Sequence, residues 1–413
     1  MEKTCVELFA GIGGFRCGLN KVSLKDGKIK ENGNWKFLWA DQWEPSTKVQ
    51  YAYNCYGTRF GFDDISNEYI FKVNKYDIPD HTLLVGGFHC QDYSVAQTLS
   101  NSKGIEGQKG VLWWVIEETL SVKQPLFVLL ENVDRLLLSH AKQRGRDFGM
   151  ILRSFYENGY NVEWRVINAG EYGFPQKRRR TYIFAYHNST NYYRKMKTIQ
   201  EHDIIFEKGL FFKPFPIYED YLAISKNNVA KYKDLLEVSD NFKCEFYNAG
   251  VMMNGEIYTV KTQANCKLIF PLRNIRESNA VDNKYFLTEE QDKKFITLKG
   301  SKKIPRVKPD GTPYFYSEGS MSYPDNLDGP ARTMLTSEGG IGRSTHVIED
   351  FVTGRKRFLT PTECERINGF PDDWTNTDMP DRKRNFMMGN ALVVGVIEKI
   401  GIEIENIIDN IEC

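Results

Sequence analysis

Cys90 is the residue of this sequence best placed to act as a nucleophile. It lies in the segment GGFHCQDYS, residues 86–94, directly after the short apolar run 82–85. The run predicts a buried strand, and the glycines after it predict a loop in which a thiolate is reachable. Most reduced cysteines are instead small, inert, buried side chains, so position alone leaves both interpretations open.

Polar and aromatic side chains also come directly after two other apolar runs, where each predicted strand ends. Gln42 and Trp43 follow residues 36–40, and Glu131 follows residues 126–130. Ligands of an open parallel sheet bind beyond the carboxyl ends of its strands. Trp43 could therefore stack on an adenine beside a polar neighbour that binds a ribose, and Glu131 could give a proton to a ring nitrogen. A core tryptophan and a helix-capping or ion-paired glutamate are the alternatives.

A glycine-rich turn, FAGIGGF, spans residues 9–15 between the first apolar run and a helical pattern. Glycines at such a turn let the backbone approach a ligand closely. Arg16 occupies the position of the third glycine of a dinucleotide-binding GxGxxG pattern, so the pattern does not predict an NAD site. A purely structural turn stays open.

A short basic run, QKRRR, occupies residues 176–180 immediately before a predicted strand. Alternate side chains of a strand share a face, so Gln176, Arg178 and Arg180 should point one way. Three aligned polar groups could hold a base and a phosphate. A solvated edge is the alternative.

The elements that would position these residues alternate along the first half of the chain. Apolar runs predict short buried strands, and helical patterns lie between them. This alternation predicts an α/β fold with a doubly wound, mostly parallel sheet. The predicted strands are residues 4–9, 36–40, 82–85, 126–130, 162–167 and 181–186, and the predicted helices are residues 14–21, 45–56, 112–122, 360–369 and 391–408, the last of them opened by Asn390.

Composition places the chain among ordinary globular proteins. Of its 413 residues, 41% are hydrophobic and 26% are charged, and its net charge is +1. These values exclude disordered and fibrous classes, while a local basic patch would still allow nucleic-acid binding. The sequence contains no run of about 18 apolar residues and no export signal, so we expect no membrane span and reduced thiols in a bacterial cytoplasm.

The motifs together resemble one known family. FAGIGGF is followed by GGFHCQDYS, ENV, QKRRR, RFLTPTECERINGFPDDW and GNALV, an order similar to that of the DNA (cytosine-5) methyltransferase family of bacterial modification enzymes. The resemblance covers most of residues 4–186 and 351–400. It implies an S-adenosylmethionine-dependent methyltransferase fold, that cofactor without a metal, and methyl transfer to C5 of a cytosine in duplex DNA.

The resemblance also implies roles for individual residues. Cys90 resembles the nucleophile that attacks C6 of cytosine, and Glu131 resembles the acid that contacts N3 and the exocyclic amine. Arg180, supported by Arg178, resembles the arginine that holds the cytosine O2. The expected cofactor-binding residues are Phe9, Gly11, Gly13, Gly14, Gln42, Trp43, Asp64, Ile65, Leu112, Asn390 and Ala391. The expected DNA-binding residues are Gln176, Arg332, Thr336 and Arg343.

Two positions depart from the family pattern. His89 stands where the family usually has a proline before the nucleophile, and we predict that it is a tolerated replacement without a role as a base. Gln42 stands where the family usually has a glutamate that binds ribose, and an amide can still bond to hydroxyl groups.

The predicted domains are residues 1–190 and 351–413 for the catalytic, cofactor-binding part and residues 191–350 for target recognition. Residues 293–308 contain seven basic side chains and no acidic one. We expect this run to neutralise DNA phosphates, with a solvated surface as the alternative. Arg343, in the loop of residues 337–344, is expected to reach base edges.

Three other functions remain to be weighed. A tRNA cytosine methyltransferase shares this catalytic set, although about 160 residues between the catalytic parts favour DNA recognition. A catalytically silent DNA-binding protein and a thiol hydrolase are the alternatives from other classes. For the methyltransferase we expect a monomer that acts on double-stranded DNA, either alone or beside a restriction endonuclease that cuts the same site.

Overall fold

A ten-stranded sheet forms the centre of the computed structural model, with the strand order β10-β12-β11-β8-β9-β7-β6-β1-β4-β5. The structure describes residues 1–45, 47–88, 112–139, 143–308 and 310–412. Cys90 and His89 lie outside the described residues.

One half of this sheet is parallel. Strands β1 (Thr4–Leu8), β4 (Lys36–Asp41), β5 (Ile65–Ser66), β6 (Leu83–Gly87) and β7 (Phe127–Val133) all run the same way. Their side chains alternate between two hydrophobic cores, so that Leu83 and Val85 enter one core and Leu84 enters the other. Because both faces are buried, β1, β4, β6 and β7 have the continuous apolar sequences from which they were predicted. The two-residue strand β5 was not predicted.

Helices cover both faces of the parallel half, which confirms the doubly wound α/β fold. Helix α1 (Gly14–Leu19) lies on one face, and helices α3 (Trp113–Lys123) and α4 (Arg146–Glu157) supply apolar side chains to the core on the other face. Helix α2 (Tyr51–Phe60) follows β4.

The other half of the sheet is antiparallel. It contains β8 (Tyr160–Asn168), β9 (Arg179–His187), β10 (Ala223–Asn228), β11 (Ala249–Met253) and β12 (Glu256–Lys261). Strand β9 joins the two halves by pairing with β7. The smaller elements of this region are helices α5 (Asn191–Met196), α6 (Glu201–Asp203) and α7 (Leu235–Asn241).

Residues 262–350 carry little regular structure. Helix α8 (Glu289–Lys299) leads into a two-stranded hairpin of β13 (Lys302–Val307) and β14 (Pro313–Glu318). The other hairpins pair β2 (Ser23–Lys25) with β3 (Lys28–Lys30) and β15 (Val347–Glu349) with β16 (Lys356–Phe358). The division into three sequence ranges stays a prediction, and β10, β11 and β12 within its middle range extend the large sheet.

The C-terminal part returns to the first strand. Helix α9 (Pro361–Asn368) begins with the predicted capping box, in which Thr360 and Glu363 each bond the other's backbone. Helix α10 (Asp381–Asn390) precedes helix α11 (Val394–Ile407), whose Ile397 packs against Gly18 of α1. Within the described ranges, no helix combines the length and apolar composition needed to cross a membrane.

Two predicted helix starts are wrong. The second helix begins at Tyr51 and not at Pro45, because the Gln50 side chain bonds both the N–H and the carbonyl of Glu44 and closes a loop there. Asn390 ends helix α10 and does not open the last helix, since extended backbone at Ala391 separates the two helices.

Candidate active site

A cavity of about 1040 Å³ lies at the carboxyl ends of β1, β4, β6 and β7. Its described lining combines backbone of the glycine turn, aromatic rings, carboxylates and two arginines. Of the predicted cofactor residues, those that line it are Phe9, Gly11, Gly14, Gln42, Trp43, Leu112, Asn390 and Ala391.

The glycine turn after β1 exposes its backbone to this cavity. Phe9 and Gly11 adopt left-handed backbone with φ of 55° and 57°. A Cβ at Gly11 would meet no atom within 4 Å, so the glycine leaves open space in front of the turn. The Gly11 N–H donates to Gln42 Oε1 at 2.7 Å, which joins the ends of β1 and β4.

An aromatic wall faces the end of β4. The rings of Trp43 and Tyr69 lie 4.8 Å apart at an angle of 50°, and Phe71 lines the same cavity. Aromatic faces of this kind stack on nucleobases and attract cations. Tyr69 and Phe71 were not predicted, because they lie in irregular backbone between β5 and β6 that no motif marks.

Three predicted cofactor residues lie outside the cavity lining. Gly13 packs against Tyr56 and Phe60 of α2. Ile65 is buried in β5, and the Asp64 carbonyl accepts a bond from Ala40 N–H. These three residues therefore support the walls rather than line the space.

Two carboxylates that were not predicted as site residues also line the cavity. Asp41 is 2% exposed, and burial raises its pKa to about 8 against the opposing effect of Lys75. Burial also raises the pKa of Glu44. Their position beside Gln42 at the end of a strand was the signal that could have identified them.

Glu131 and Arg180 form an ion pair at the cavity. Arg180 Nε lies 2.9 Å from Glu131 Oε1, and both side chains are largely buried. They come from the paired strands β7 and β9. This arrangement places a carboxylate and a guanidinium side by side, as recognition of a planar ring with adjacent donors and acceptors requires.

Arg178 connects three distant parts of the chain at the same wall. Its guanidinium donates to the carbonyls of Met334, Gly389 and Asn390 at 3.1–3.2 Å. Burial lowers its pKa to about 10. The predicted alternation is confirmed here, since Gln176 and Arg178 are buried while Lys177 and Arg179 are exposed.

The four predicted DNA-binding residues make different contacts. Thr336 lines the cavity. Gln176 is fully buried and bonds Asn368 and the Met334 N–H. Arg332 forms an ion pair with Asp325, and Arg343 forms one with Glu318. Their contacts with DNA stay predictions.

The C-terminal part closes the glycine turn from outside. Trp374 Nε1 donates to the Ile12 carbonyl at 2.9 Å, and a Cβ at Gly14 would lie 2.9 Å from Leu392. Side chains from residues 370–392 therefore pack against the glycine turn, because Gly14 leaves room for Leu392 at the start of α1.

Five cysteines of the described residues are poor candidates for a nucleophile. Cys5, Cys17, Cys55, Cys244 and Cys364 are buried free thiols, and burial raises the pKa of each. Such thiols are poor nucleophiles. Gly87 and Phe88, which lead toward Cys90, line the cavity.

The parallel strands, the glycine turn and the cavity at the carboxyl ends of the strands are typical of α/β enzymes. Residues 3–406 match the sequence profile of the C-5 cytosine-specific DNA methylase family. The chain belongs to this family of DNA methyltransferases.

Individual relatives agree with this assignment. The chain is 49% identical to the type II methyltransferase M.Sau3AI of Staphylococcus aureus over 97% of this chain and 95% of that protein. It is 26% identical to the type II methyltransferase M.HhaI of Haemophilus parahaemolyticus over 97% of this chain and 93% of that protein.

Solved structures support the fold. A DNMT2 structure from Spodoptera frugiperda aligns with a TM-score of 0.59 at 13% identity, covering 97% of this chain and 99% of that one. The S. pombe Dnmt2 methyltransferase aligns with a TM-score of 0.58 at 15% identity, covering 98% and 99%.

Proposed function

We propose that this methyltransferase transfers a methyl group from S-adenosylmethionine to C5 of a flipped-out cytosine in a specific duplex DNA sequence. The observation that carries the proposal is the single cavity that contains both the glycine turn and the Glu131–Arg180 pair. A methyl donor and a cytosine must meet within one enclosed space for direct transfer.

The cavity residues fit S-adenosylmethionine. The open space at Gly11 admits a ligand beside the turn, and Trp43 offers a ring on which an adenine can stack. Asp41, Glu44 and Gln42 provide polar groups for ribose hydroxyls and an amino group. When bound, this cofactor supplies an electrophilic methyl group on a positively charged sulfur.

The protein residues activate an unreactive carbon. The Cys90 thiolate adds to C6 of the cytosine, so that an S–C6 bond forms and C5 becomes enamine-like. Glu131 binds N3 and the exocyclic amine, and Arg180 binds O2, which stabilises the adduct. C5 then takes the methyl group and its proton passes to solvent water. The electron pair of that C–H bond restores the C5–C6 double bond as the S–C6 bond breaks to release the thiolate.

The cytosine must leave the DNA helix for this chemistry. C6 and C5 of a stacked base are inaccessible to a side chain and a cofactor on opposite sides of the ring. The enclosed position of Glu131 and Arg180, whose side chains are 14% and 18% exposed, agrees with an extruded base.

We propose that residues 191–350 recognise the target DNA sequence. A chimaera that carries this segment from a related enzyme of different specificity should acquire that enzyme's target. Retention of the original target would contradict the assignment. Depending on its genetic context, the enzyme would protect sites from a partner restriction endonuclease or act as a solitary methylase in the bacterial cytoplasm.

The test is transfer of a radiolabelled methyl group from S-adenosylmethionine to duplex DNA, with tRNA as the comparison substrate. DNA containing 5-fluorocytosine should form a covalent adduct with the enzyme, because fluorine blocks the final elimination. Labelling of tRNA alone would contradict the DNA assignment, and absence of an adduct would contradict the covalent mechanism.

A further inference from the structure

We infer that the hairpin of β13 and β14, called the ribbon below, enters the major groove of the target DNA and reads base edges through Arg306. This inference rests on the proposed function, because it names the element that recognises the DNA substrate.

The ribbon is exposed on both faces. Val307 and Phe315 are each 68% exposed, and Tyr314 and Tyr316 are each 39% exposed. A two-stranded hairpin that packs on no core is marginally stable, and exposed apolar groups of this size mark interaction sites. The ribbon therefore requires a partner that covers it.

The two faces of the ribbon differ in chemistry. Cross-strand pairing places Arg306 opposite Tyr314 and Ile304 opposite Tyr316 on one face, together with Lys302. The guanidinium of Arg306 lies 4.3 Å from the centre of the Tyr316 ring. We call this the polar face, because it carries donors that can bond to base edges and phosphates.

The opposite face is mainly apolar. It pairs Pro305 with Phe315 and Val307 with Pro313, with Lys303 as its only cation. Thymine methyl groups and deoxyribose can contact such side chains, but hydrogen-bonded readout of bases must come from the polar face.

Charge favours DNA as the partner. Lys302, Lys303, Arg306 and Lys308 lie along the ribbon, and no carboxylate of the described chain pairs with any of them. Of its two acidic residues, Glu318 pairs with Arg343 and Asp310 lies in the connecting turn, where its carboxylate accepts a bond from the Thr312 N–H. The remaining cations can attract phosphates without losing an existing ion pair.

Shape agrees with a groove. The major groove, about 12 Å wide, admits a two-stranded ribbon. Six residues in each strand span about 20 Å at roughly 3.3 Å per residue. A ribbon of this length can contact several successive base pairs.

Arg343 fixes the ribbon to the cavity rim. Its guanidinium donates to the carbonyls of Leu298 and Gly300 before β13 and to that of Gly319 after β14. The same segment begins with Thr336 at the cavity. Arg343 therefore holds both ends of the ribbon to the loop that leads from the catalytic cavity.

A buried network of ion pairs stabilises the segments to which the ribbon is attached. Lys299 Nζ lies 2.9 Å from Asp325, and Arg332 Nε lies 2.7 Å from the same carboxylate. Lys299 is the last residue of α8, directly before the ribbon. Recognition elements on rigid supports hold their side chains in register with the reaction site.

The experiment compares Arg306→Ala and Arg306→Lys with the matched variant Lys303→Ala, which removes one cation from the same strand on the opposite face. Methylation rates are measured on the wild-type target site and on singly altered sites. Both Arg306 variants should lose about 5-fold to 150-fold in kcat/KM on the target and discriminate less among altered sites, since a lysine lacks the planar fork. Lys303→Ala removes one phosphate-attracting cation, so it should lower the rate on all sites by a similar factor and leave discrimination among them intact.

Unchanged discrimination in both Arg306 variants would overturn the inference, as would an equal loss of discrimination in Arg306→Ala and Lys303→Ala. Each variant is checked for the wild-type melting temperature and S-adenosylmethionine affinity. If the wild-type enzyme labels no DNA, the proposed function is contradicted. If the wild-type enzyme labels DNA and both Arg306 variants behave like it, only the role of the ribbon is contradicted.

Discussion

The Gln42 side chain accepts a hydrogen bond of 2.7 Å from the Gly11 N–H and so fixes the glycine turn to the end of the neighbouring strand. Gln42 stands at a position where the family resemblance leads us to expect a glutamate. The amide keeps the acceptor that the turn requires, and its NH2 group remains available as a donor to a ligand in the cavity.

Gln42→Ala should weaken S-adenosylmethionine binding, because it removes both this acceptor and a polar contact. One hydrogen bond contributes about 0.5–1.5 kcal/mol, which corresponds to roughly 2-fold to 10-fold in affinity. Gln42→Glu should retain most of the affinity. Calorimetric titration measures both, with Gln200→Ala on an exposed loop as the control. Equal affinities for Gln42→Ala and the wild-type protein would contradict the assignment.

Trp43→Ala should weaken cofactor binding by about 1–3 kcal/mol if adenine stacks on the indole as bases do on aromatic side chains. Trp43→Phe should preserve a large part of the affinity, since a ring remains beside Tyr69. The control is Tyr76→Ala, which removes an aromatic ring that is 74% exposed. A cofactor affinity that does not respond to Trp43→Ala would show that adenine lies elsewhere.

Much of this site could be predicted from sequence because its supports are local. The continuous apolar runs around Val6, Leu84 and Leu129 are typical of parallel strands buried on both faces. Ligand-binding residues follow these strands directly, so their positions come from the same pattern. Gln42, Trp43 and Glu131 follow predicted strands in this way, Phe9 was expected from the family resemblance, and all four residues line one cavity.

The remaining features depend on specific side-chain contacts rather than on periodic sequence patterns. The Gln50 side chain delays the start of α2 by bonding Glu44, and Arg178 reaches carbonyls at the end of α10. Arg343 bonds both ends of the ribbon. No local sequence pattern predicts these contacts. An arginine that bonds distant backbone carbonyls cannot be distinguished, from sequence alone, from an arginine on the surface.

Glu7 gives the protein a pH-dependent stability. It is fully buried on β1, and burial raises its pKa from 4.5 to about 8 against the opposing effect of Arg16. Between these values the folded state binds a proton that the unfolded state has released. The free energy of unfolding therefore falls as pH rises through this window, by up to about 1.4 kcal/mol per pH unit for one such group.

Glu7→Gln should flatten this dependence, because the amide has a similar shape and does not titrate. Urea unfolding at several pH values between 5.5 and 8.5 measures the change. Asp41, whose pKa is also near 8, keeps part of the slope in the variant. Glu289→Gln, at an exposed position, is the control. Identical pH profiles for Glu7→Gln and the wild-type protein would exclude the raised pKa.

Cys90→Ser should abolish methyl transfer and leave DNA binding largely intact, because a hydroxyl group is a far weaker nucleophile than a thiolate near neutral pH. Cys266→Ser, at a free cysteine that is partly exposed, is the matched control and should keep full activity. Methylation by Cys90→Ser at the wild-type rate would show that the proposed covalent mechanism is wrong.

His89 should prove to be a tolerated substitute for proline rather than a catalytic base. The mechanism assigns the required roles to Cys90, Glu131 and Arg180, so it leaves no step that needs an imidazole. A neighbouring cation could lower the pKa of the Cys90 thiol, but adjacent side chains of an extended segment point to opposite faces. His89→Ala should therefore cost little activity, and His89→Pro should keep or raise the rate by restricting the backbone. A loss of about 100-fold in His89→Ala with unchanged cofactor binding would reveal a chemical role, because removal of an acid–base group has an effect of this size.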